Sequence, residues 1–367
     1  MAAGVLLCAV AGCGTATHKD DLDEASRQAA LTQTLDAVVR AGVPGAQIVI
    51  TEHGKDWVTT AGVGDLVTGA RFPDDGRVRI GSNTKTFIAT IVLQLVADGK
   101  VDLDAPIERY LPGIMQGTGH GGITIRNLLQ HTSGLTDYTE LPDLPLDSEE
   151  VRWQRMDTAD LLRRVLGSPP RFSPGSKGEY SNTNYLLAGM LIEQVTGQPV
   201  DVEINRRIIE PLELQATYYP KPGETGLRGP HPRGYHERGG QRIDYTDLDT
   251  SWAGSAGAMV ASGADLNRFF TALLGGKLLP AAQLAEMQKV TVPLVNRENI
   301  PYGLGLVRIA VPCDVAVWGH GGGIMGFRTL AGVTAAGRAV TVTATQLVAT
   351  TEGSAALRAA FNAATCG

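Results

Sequence analysis

Apolar residues recur at helical spacing through Leu22, Ala25, Ala29, Leu31, Leu35, Val38 and Val39, and the run stops at Gly42-Val43-Pro44. That period predicts an amphipathic helix over residues 22–42. Two β-rich stretches follow, 46–50 and 57–61, parted by His53-Gly54-Lys55. They read as strands around a turn. Residues 77–80 form a short strand pattern that leads into Gly81. The pattern then changes. Phe87, Ile88, Ile91, Val92, Leu95 and Val96 leave hardly any polar face between Thr86 and Ala97, and Gly99 ends the run. A helix that is apolar all round belongs in a core. Ser82 is therefore expected at the N-terminus of a buried helix.

Helical patterns continue at 124–129, 158–167 and 183–196, the last ended by Gly197. Segments 136–150 and 219–242 are rich in Pro, Gly, Asp and Glu and read as surface excursions. Strand patterns return at 303–309, 315–318, 327–333 and 340–344, and 352–363 is helical again. Strands at both ends with helices between predict an α/β (α+β) fold, an antiparallel sheet flanked by helices with an inserted all-helical lobe. The expected divisions are a leader and linker over 1–27 and a catalytic domain over 28–367. Within that domain an α/β lobe takes 28–80 and 220–367, and a helical lobe takes 81–219.

Composition changes this picture little. The chain has 367 residues, 43% hydrophobic and 19% charged, with a net charge of -6. That is ordinary globular material. Aromatics are 5% and no Lys/Arg cluster stands out, so neither a stacking platform nor a phosphate-tracking surface for nucleic acid is expected. No apolar run of about 20 residues follows the first dozen, so no later membrane span is expected. The first dozen residues are different. Small apolar residues 2–12 precede polar sequence from Thr15, as in the hydrophobic part of a signal peptide. Val10-Ala11-Gly12-Cys13 resembles the lipobox in which the Cys is lipidated; an ordinary secretory signal that contains Cys is the alternative. Either reading implies export, with Cys13 as a lipid anchor at the outer face of the membrane in the first. Cys8 and Cys13 lie in that leader, leaving Cys313 and Cys366 in the mature chain. An exported chain with two cysteines is expected to pair them, two free buried thiols being the alternative. No Cys-x-x-Cys redox pair occurs.

Three short signals carry candidate chemistry. Ser82-Asn83-Thr84-Lys85 is the chain's only Ser-x-x-Lys. Positions i and i+3 share a helix face, so the Lys85 amine can reach the Ser82 hydroxyl. A Ser needs an adjacent base, and Lys serves only when burial or a nearby cation holds it neutral. Tyr180-Ser181-Asn182 places a phenol and a carboxamide where both can face one cleft. Tyr180 would pass protons; Asn182 would hold a substrate amide oxygen or orient Lys85. The plainer reading is a packed Tyr and an Asn capping the next helix. His320-Gly321-Gly322-Gly323 follows a strand pattern and would supply a cation or hydrogen-bond donor, with glycines permitting close backbone approach. His120-Gly121-Gly122 matches equally well but lacks a preceding strand, so His120 is expected as an exposed loop residue. His131 is expected to be structural.

In this order the three signals resemble those of serine β-lactamases and penicillin-binding peptidases. The resemblance extends over roughly residues 30–367. It is greatest to secreted D-alanyl-D-alanine carboxypeptidases, which share Tyr-Ser-Asn and a third-position His where class C β-lactamases carry Lys. The resemblance implies that Ser82 attacks the D-Ala–D-Ala carbonyl of a peptidoglycan peptide. Lys85 and Tyr180 would manage protons, and the Ser82 and Gly323 amides would form the oxyanion hole. Penicillins would acylate Ser82. It implies no metal and no cofactor, and a monomer is the default. Trp252 matches a cleft Trp of such enzymes, core packing being its alternative. Two departures weaken carboxylate recognition. Gly321 stands where the family has Thr, and Val307 where it has a strand Arg, with Arg308 beside it. An esterase, a D-amino-acid amidase or peptidase, a class C-type β-lactamase, a penicillin-binding sensor and a non-catalytic wall-binding protein are the other readings.

Overall fold

The computed structural model describes residues 15–348 and 350–367. Of the leader and linker expected over 1–27, residues 1–14, with Cys8 and Cys13, lie outside the described residues, and the remainder falls in the first helix, Thr15–Arg40. Among the described residues there are ten strands: β1 Gly45–Glu52, β2 Lys55–Gly62, β3 Val78–Arg79, β4 Tyr235–Arg238, β5 Gln241–Asp244, β6 Val260–Ala261, β7 Val307–Ile309, β8 Val317–Ile324, β9 Phe327–Thr334 and β10 Ala339–Ala344. The helices are α1 Thr15–Arg40, α2 Thr84–Ala97, α3 Ile125–Leu129, α4 Glu149–Trp153, α5 Thr158–Val165, α6 Thr183–Thr196, α7 Val200–Ile204, α8 Glu210–Leu212, α9 Gly254–Gly257, α10 Gly263–Leu274, α11 Ala281–Met287 and α12 Thr351–Cys366.

The main sheet runs β2-β1-β10-β9-β8-β7, and every neighbouring pair is antiparallel. Both faces are covered. Ile48 and Ile50 of β1 pair with Val342 and Val340 of β10. These four pack in one apolar cluster with Leu31, Leu35 and Val38 of α1 and Leu357 and Phe361 of α12. Each such buried side chain contributes roughly 1.5–3 kcal/mol. The opposite face meets α10. There the buried Asn267 carboxamide donates to the Val49 carbonyl and the Thr51 hydroxyl and accepts from Thr341. Thr at alternate β10 positions reads as a polar strand face, but here it is the docking surface of a helix.

The helical lobe centres on α2, whose Phe87 stacks on Phe269 of α10 with centroids 3.7 Å apart. α6 packs beside α2 and ends at Gly197, whose φ of 67° is the left-handed cap that glycine favours. Helices α2 to α8 span residues 84–212. Three differences from the sequence expectation stand out. The segment expected as an irregular excursion at 219–242 carries strand β4 and the start of β5, a hairpin turning at Gly239-Gly240. The expected strand 303–309 shortens to β7. The expected strand 315–318 lengthens into β8, so His320 to Gly323 lie inside a strand rather than after one. Glycine runs depress strand propensity, but pairing with β9 over the whole of β8 overrides it.

Cys313 and Cys366 are joined in a disulfide that ties α12 to the loop before β8. It closes a loop with a sequence separation of 53 residues. Cys313→Ser/Cys366→Ser is expected to lower unfolding free energy by about 2–4 kcal/mol through denatured-state entropy. Denaturant titration of both forms checks this; coincident curves would show that the bond adds nothing.

Candidate active site

Ser82 lies in a single 3-10 turn, Gly81–Asn83, that feeds α2. Gly81 is required there. Its φ is 50°, and a Cβ would sit 2.7 Å from the Gly323 nitrogen of β8. The turn and β8 therefore touch backbone to backbone, which brings Ser82 beside the Gly323 amide. Gly322 is equally constrained, since its Cβ would lie 1.8 Å from the Ile80 carbonyl oxygen.

Two groups converge on the half-buried Ser82. The Lys85 Nζ donates to Ser82 Oγ at 3.0 Å, and the Tyr180 hydroxyl donates to the same oxygen at 2.8 Å. Lys85 is fully buried and also donates to the Asn182 Oδ1 and the Ala256 carbonyl, each at 2.7 Å. Burial drives its amine down to about 7, Asp137 opposes that shift, and the Arg297 guanidinium adds to it. Near neutral pH Lys85 is thus a competent base. Burial pushes the Tyr180 phenol up, opposed by its bond to Ser82 and by the Arg297 charge. The cleft above measures about 610 Å³, and its walls include Ser82, Tyr180, Trp252, Arg297, His320 and Arg328.

The beta-lactamase family profile matches residues 28–365. The chain belongs to the beta-lactamase family. It is similar to a D-stereospecific amidohydrolase from a Streptomyces species, at 40% identity and a TM-score of 0.80 over 87% of this chain and 94% of that one. The D-amino acid amidase of Ochrobactrum anthropi is 28% identical, with a TM-score of 0.79 over 92% of this chain and 98% of that one. Esterase EstB of Burkholderia gladioli is 33% identical over 204 residues, 53% of this chain. The chain spans about half the length of the curated relatives it matches, 52% of that esterase and 48% of the Staphylococcus aureus protein flp.

Within this beta-lactamase-family site several expected roles change. Asn182 does not cap α6 with its side chain. Its Oδ1 accepts from Lys85 and its Nδ2 donates to Asp137 at 2.8 Å, so its carboxamide orients Lys85 and keeps one donor and one acceptor position. His320 is not a cation. Burial and the Lys85 charge hold its imidazole down to about 3. Its Nδ1 lies 2.6 Å from the Gly321 carbonyl and donates there. The Nε2 then accepts from the Tyr302 hydroxyl at 2.8 Å, leaving no ring N–H for a ligand. His120 is buried against the Ser168 carbonyl rather than exposed. His131 is buried, as a structural residue should be, and accepts from the Ser181 amide while its ring packs 4.2 Å from that of Tyr180. Trp252 lines the cleft, and its buried Nε1 has no partner among the described residues.

Sequence reasoning missed Asp137, Arg297 and Arg328. Arg328 faces Gly323 across β8 and β9. Its Nη1 is 3.1 Å from where a Gly323 Cβ would stand, and its Nη2 is 3.7 Å from the corresponding point on Gly321. The absence of side chains at 321 and 323 is what lets a guanidinium lie over this strand. Arginine on a strand next to a glycine run carries no local signature, and the register that aligns them is a tertiary fact.

Proposed function

We propose that this chain hydrolyses amides or short peptides of D-amino acids through an acyl-enzyme on Ser82. The observation that carries the reading is the double contact on Ser82 Oγ, from a Lys85 amine poised near neutrality and from the Tyr180 hydroxyl. Its stereochemical half is supported by the likeness to the D-stereospecific amidohydrolase and the D-amino acid amidase. Lys85 takes the Ser82 proton as Oγ bonds to the substrate carbonyl carbon. The amides of Ser82 and Gly323 receive the oxyanion. When the carbon–nitrogen bond breaks, Tyr180 gives its proton to the leaving amine and regains one from the Lys85 ammonium. Water then cleaves the ester and restores Ser82.

Ester hydrolysis is the second reading, supported by the likeness to the esterase. A D-alanyl-D-alanine carboxypeptidase is a narrower member of the same class. Gly321 and Val307 leave its carboxylate without the usual hydroxyl and strand Arg, and Arg328 is the cation such a group would meet. Acylation of Ser82 by β-lactams, export of the chain and a lipid anchor at Cys13 belong to the same proposal.

The expected result is release of ammonia from a D-amino acid amide at about 10²-fold higher kcat/KM than from its L-enantiomer, because inversion at Cα displaces the carbonyl from Ser82. Parallel progress curves on the two enantiomers decide it. Equal rates would remove the stereospecific half of the reading.

A further inference from the structure

The loop between α11 and β7 holds a tight tip at residues 294–300. The Leu294 amide donates to the Ile300 carbonyl at 3.1 Å, the Arg297 amide to the Leu294 carbonyl at 3.1 Å, and the Ile300 amide to the Arg297 carbonyl at 3.0 Å. Glu298 and Asn299 carry φ of 53° and 56°. Two consecutive non-glycine residues in the left-handed region cost about 1–2 kcal/mol each. Strain of this kind persists where the surroundings over-determine it and concentrates at functional sites.

What the tip grips is Tyr180. The Asn296 Oδ1 accepts from the Tyr180 amide at 2.8 Å, and the Asn296 Nδ2 donates to the Tyr180 carbonyl at 3.1 Å. One carboxamide thus satisfies both backbone groups of Tyr180, as a strand partner would. The Val295 amide adds a bond to the Gly178 carbonyl at 3.0 Å. The next residue, Arg297, sets its guanidinium carbon 5.0 Å from the Tyr180 ring centroid. Arg297 has no hydrogen bond from its guanidinium and no ion pair among the described residues.

We propose that Asn296 and Arg297 are positioning residues for acyl transfer: Asn296 clamps Tyr180, and Arg297 supplies the fixed positive charge under which Lys85 and Tyr180 exchange the Ser82 proton. This rests on the roles given above to Ser82, Lys85 and Tyr180. The surrounding charges show why such a cation is needed. Asp137 stands behind Asn182 and opposes loss of a proton from both Lys85 and Tyr180. His131 and His320 are held neutral by burial, and Tyr185 and Tyr302 are buried phenols pushed up. Arg328 bears on Tyr180, but less than Arg297 does. Arg297 opposes Asp137 at both reacting groups. Because Arg297 is exposed, its influence is screened and moderate.

The test uses p-nitrophenyl acetate, whose hydrolysis reads Ser82 acylation whatever the natural substrate. Lys85 must be neutral to accept the proton, so kcat/KM rises with pH through an acid limb. Removing a neighbouring cation stabilises the ammonium and moves that limb to higher pH. Arg297→Gln is expected to shift it up by about half to one pH unit, with a rate roughly 3–10-fold lower below the limb. Arg297→Lys should keep the limb in place, and so should Asn296→Ala, which keeps the cation but frees Tyr180 and should lower the plateau rate by roughly 10-fold or more. Added salt should shrink the difference between the unaltered protein and Arg297→Gln. Thermal unfolding of each variant controls for folding. An unmoved limb in Arg297→Gln, or an equal shift in Arg297→Lys, overturns the proposal. Ester hydrolysis that does not depend on Ser82 overturns it together with the proposed function. Loss of D-amide turnover alone, with the ester limb shifting as described, removes only the amidase reading.

Discussion

Ser82→Ala is expected to lower kcat/KM by on the order of 10⁴-fold or more and to end covalent labelling by a fluorescent penicillin. The expectation follows from convergence. Lys85 and Tyr180 both donate to Ser82 Oγ, and among the described residues no other hydroxyl receives both. Removing Oγ leaves a base and a proton carrier with no nucleophile between them. The fold should not notice. Ser82 contributes a small half-buried side chain, and losing hydrogen bonds of this kind costs about 1 kcal/mol. Mass spectrometry after penicillin exposure, with circular dichroism on the same sample, checks both halves. A labelled Ser82→Ala protein would place the nucleophile elsewhere.

Lys85→Met is the second large effect. It keeps the length of the side chain and deletes the amine, so acylation should fall by on the order of 10⁴-fold. Lys85→Arg should be as inactive, since a guanidinium stays charged at every working pH. The unaltered protein should show an acid limb at about 7, where Lys85 loses its proton. The same depression sets a stability dependence. The Lys85 amine ordinarily titrates at 10.5, as it does in the unfolded chain, and in the fold it titrates at about 7. Between those values the unfolded state binds more protons, so stability rises with pH across the window. The burial penalty is fully present below the folded value and is gone above the unfolded one. Its upper size is on the order of 4–5 kcal/mol. Denaturant unfolding at pH 6 and pH 9 should show a steeper rise for the unaltered protein than for Lys85→Met, because only the former carries this titration. Parallel slopes would mean that Lys85 is not held neutral by the fold.

Much of the architecture was legible in the chain. Uniform apolarity from Phe87 to Val96 gave a buried α2, and the strand patterns of 46–50, 57–61, 327–333 and 340–344 all fall in the main sheet. Errors came where a local pattern was outvoted. The glycines of 321–323 argue against strand, yet they pair along β9 throughout, and the close approach of Ile80 and Asn83 admits no side chain at 322. His120 looked exposed because its neighbours are glycines, but its ring is buried against Ser168.

The sequence by itself determined the Ser82–Lys85 pairing, because helical periodicity places i and i+3 on one face whatever else the chain does. It also determined that this pair sits at the head of a core helix, since that depends only on apolar residues surrounding the axis. Tertiary structure alone decided the rest of the site. Tyr180 lies 98 positions from Ser82, and its contact exists only because α2, the segment before α6 and the 294–300 tip pack together. Whether Lys85 is a base and whether His320 is a cation depend on burial and on charges arriving from Asp137, Arg297 and Lys85, each on a different element. Short-range geometry follows from the backbone period, while a proton's affinity sums over everything folded around it.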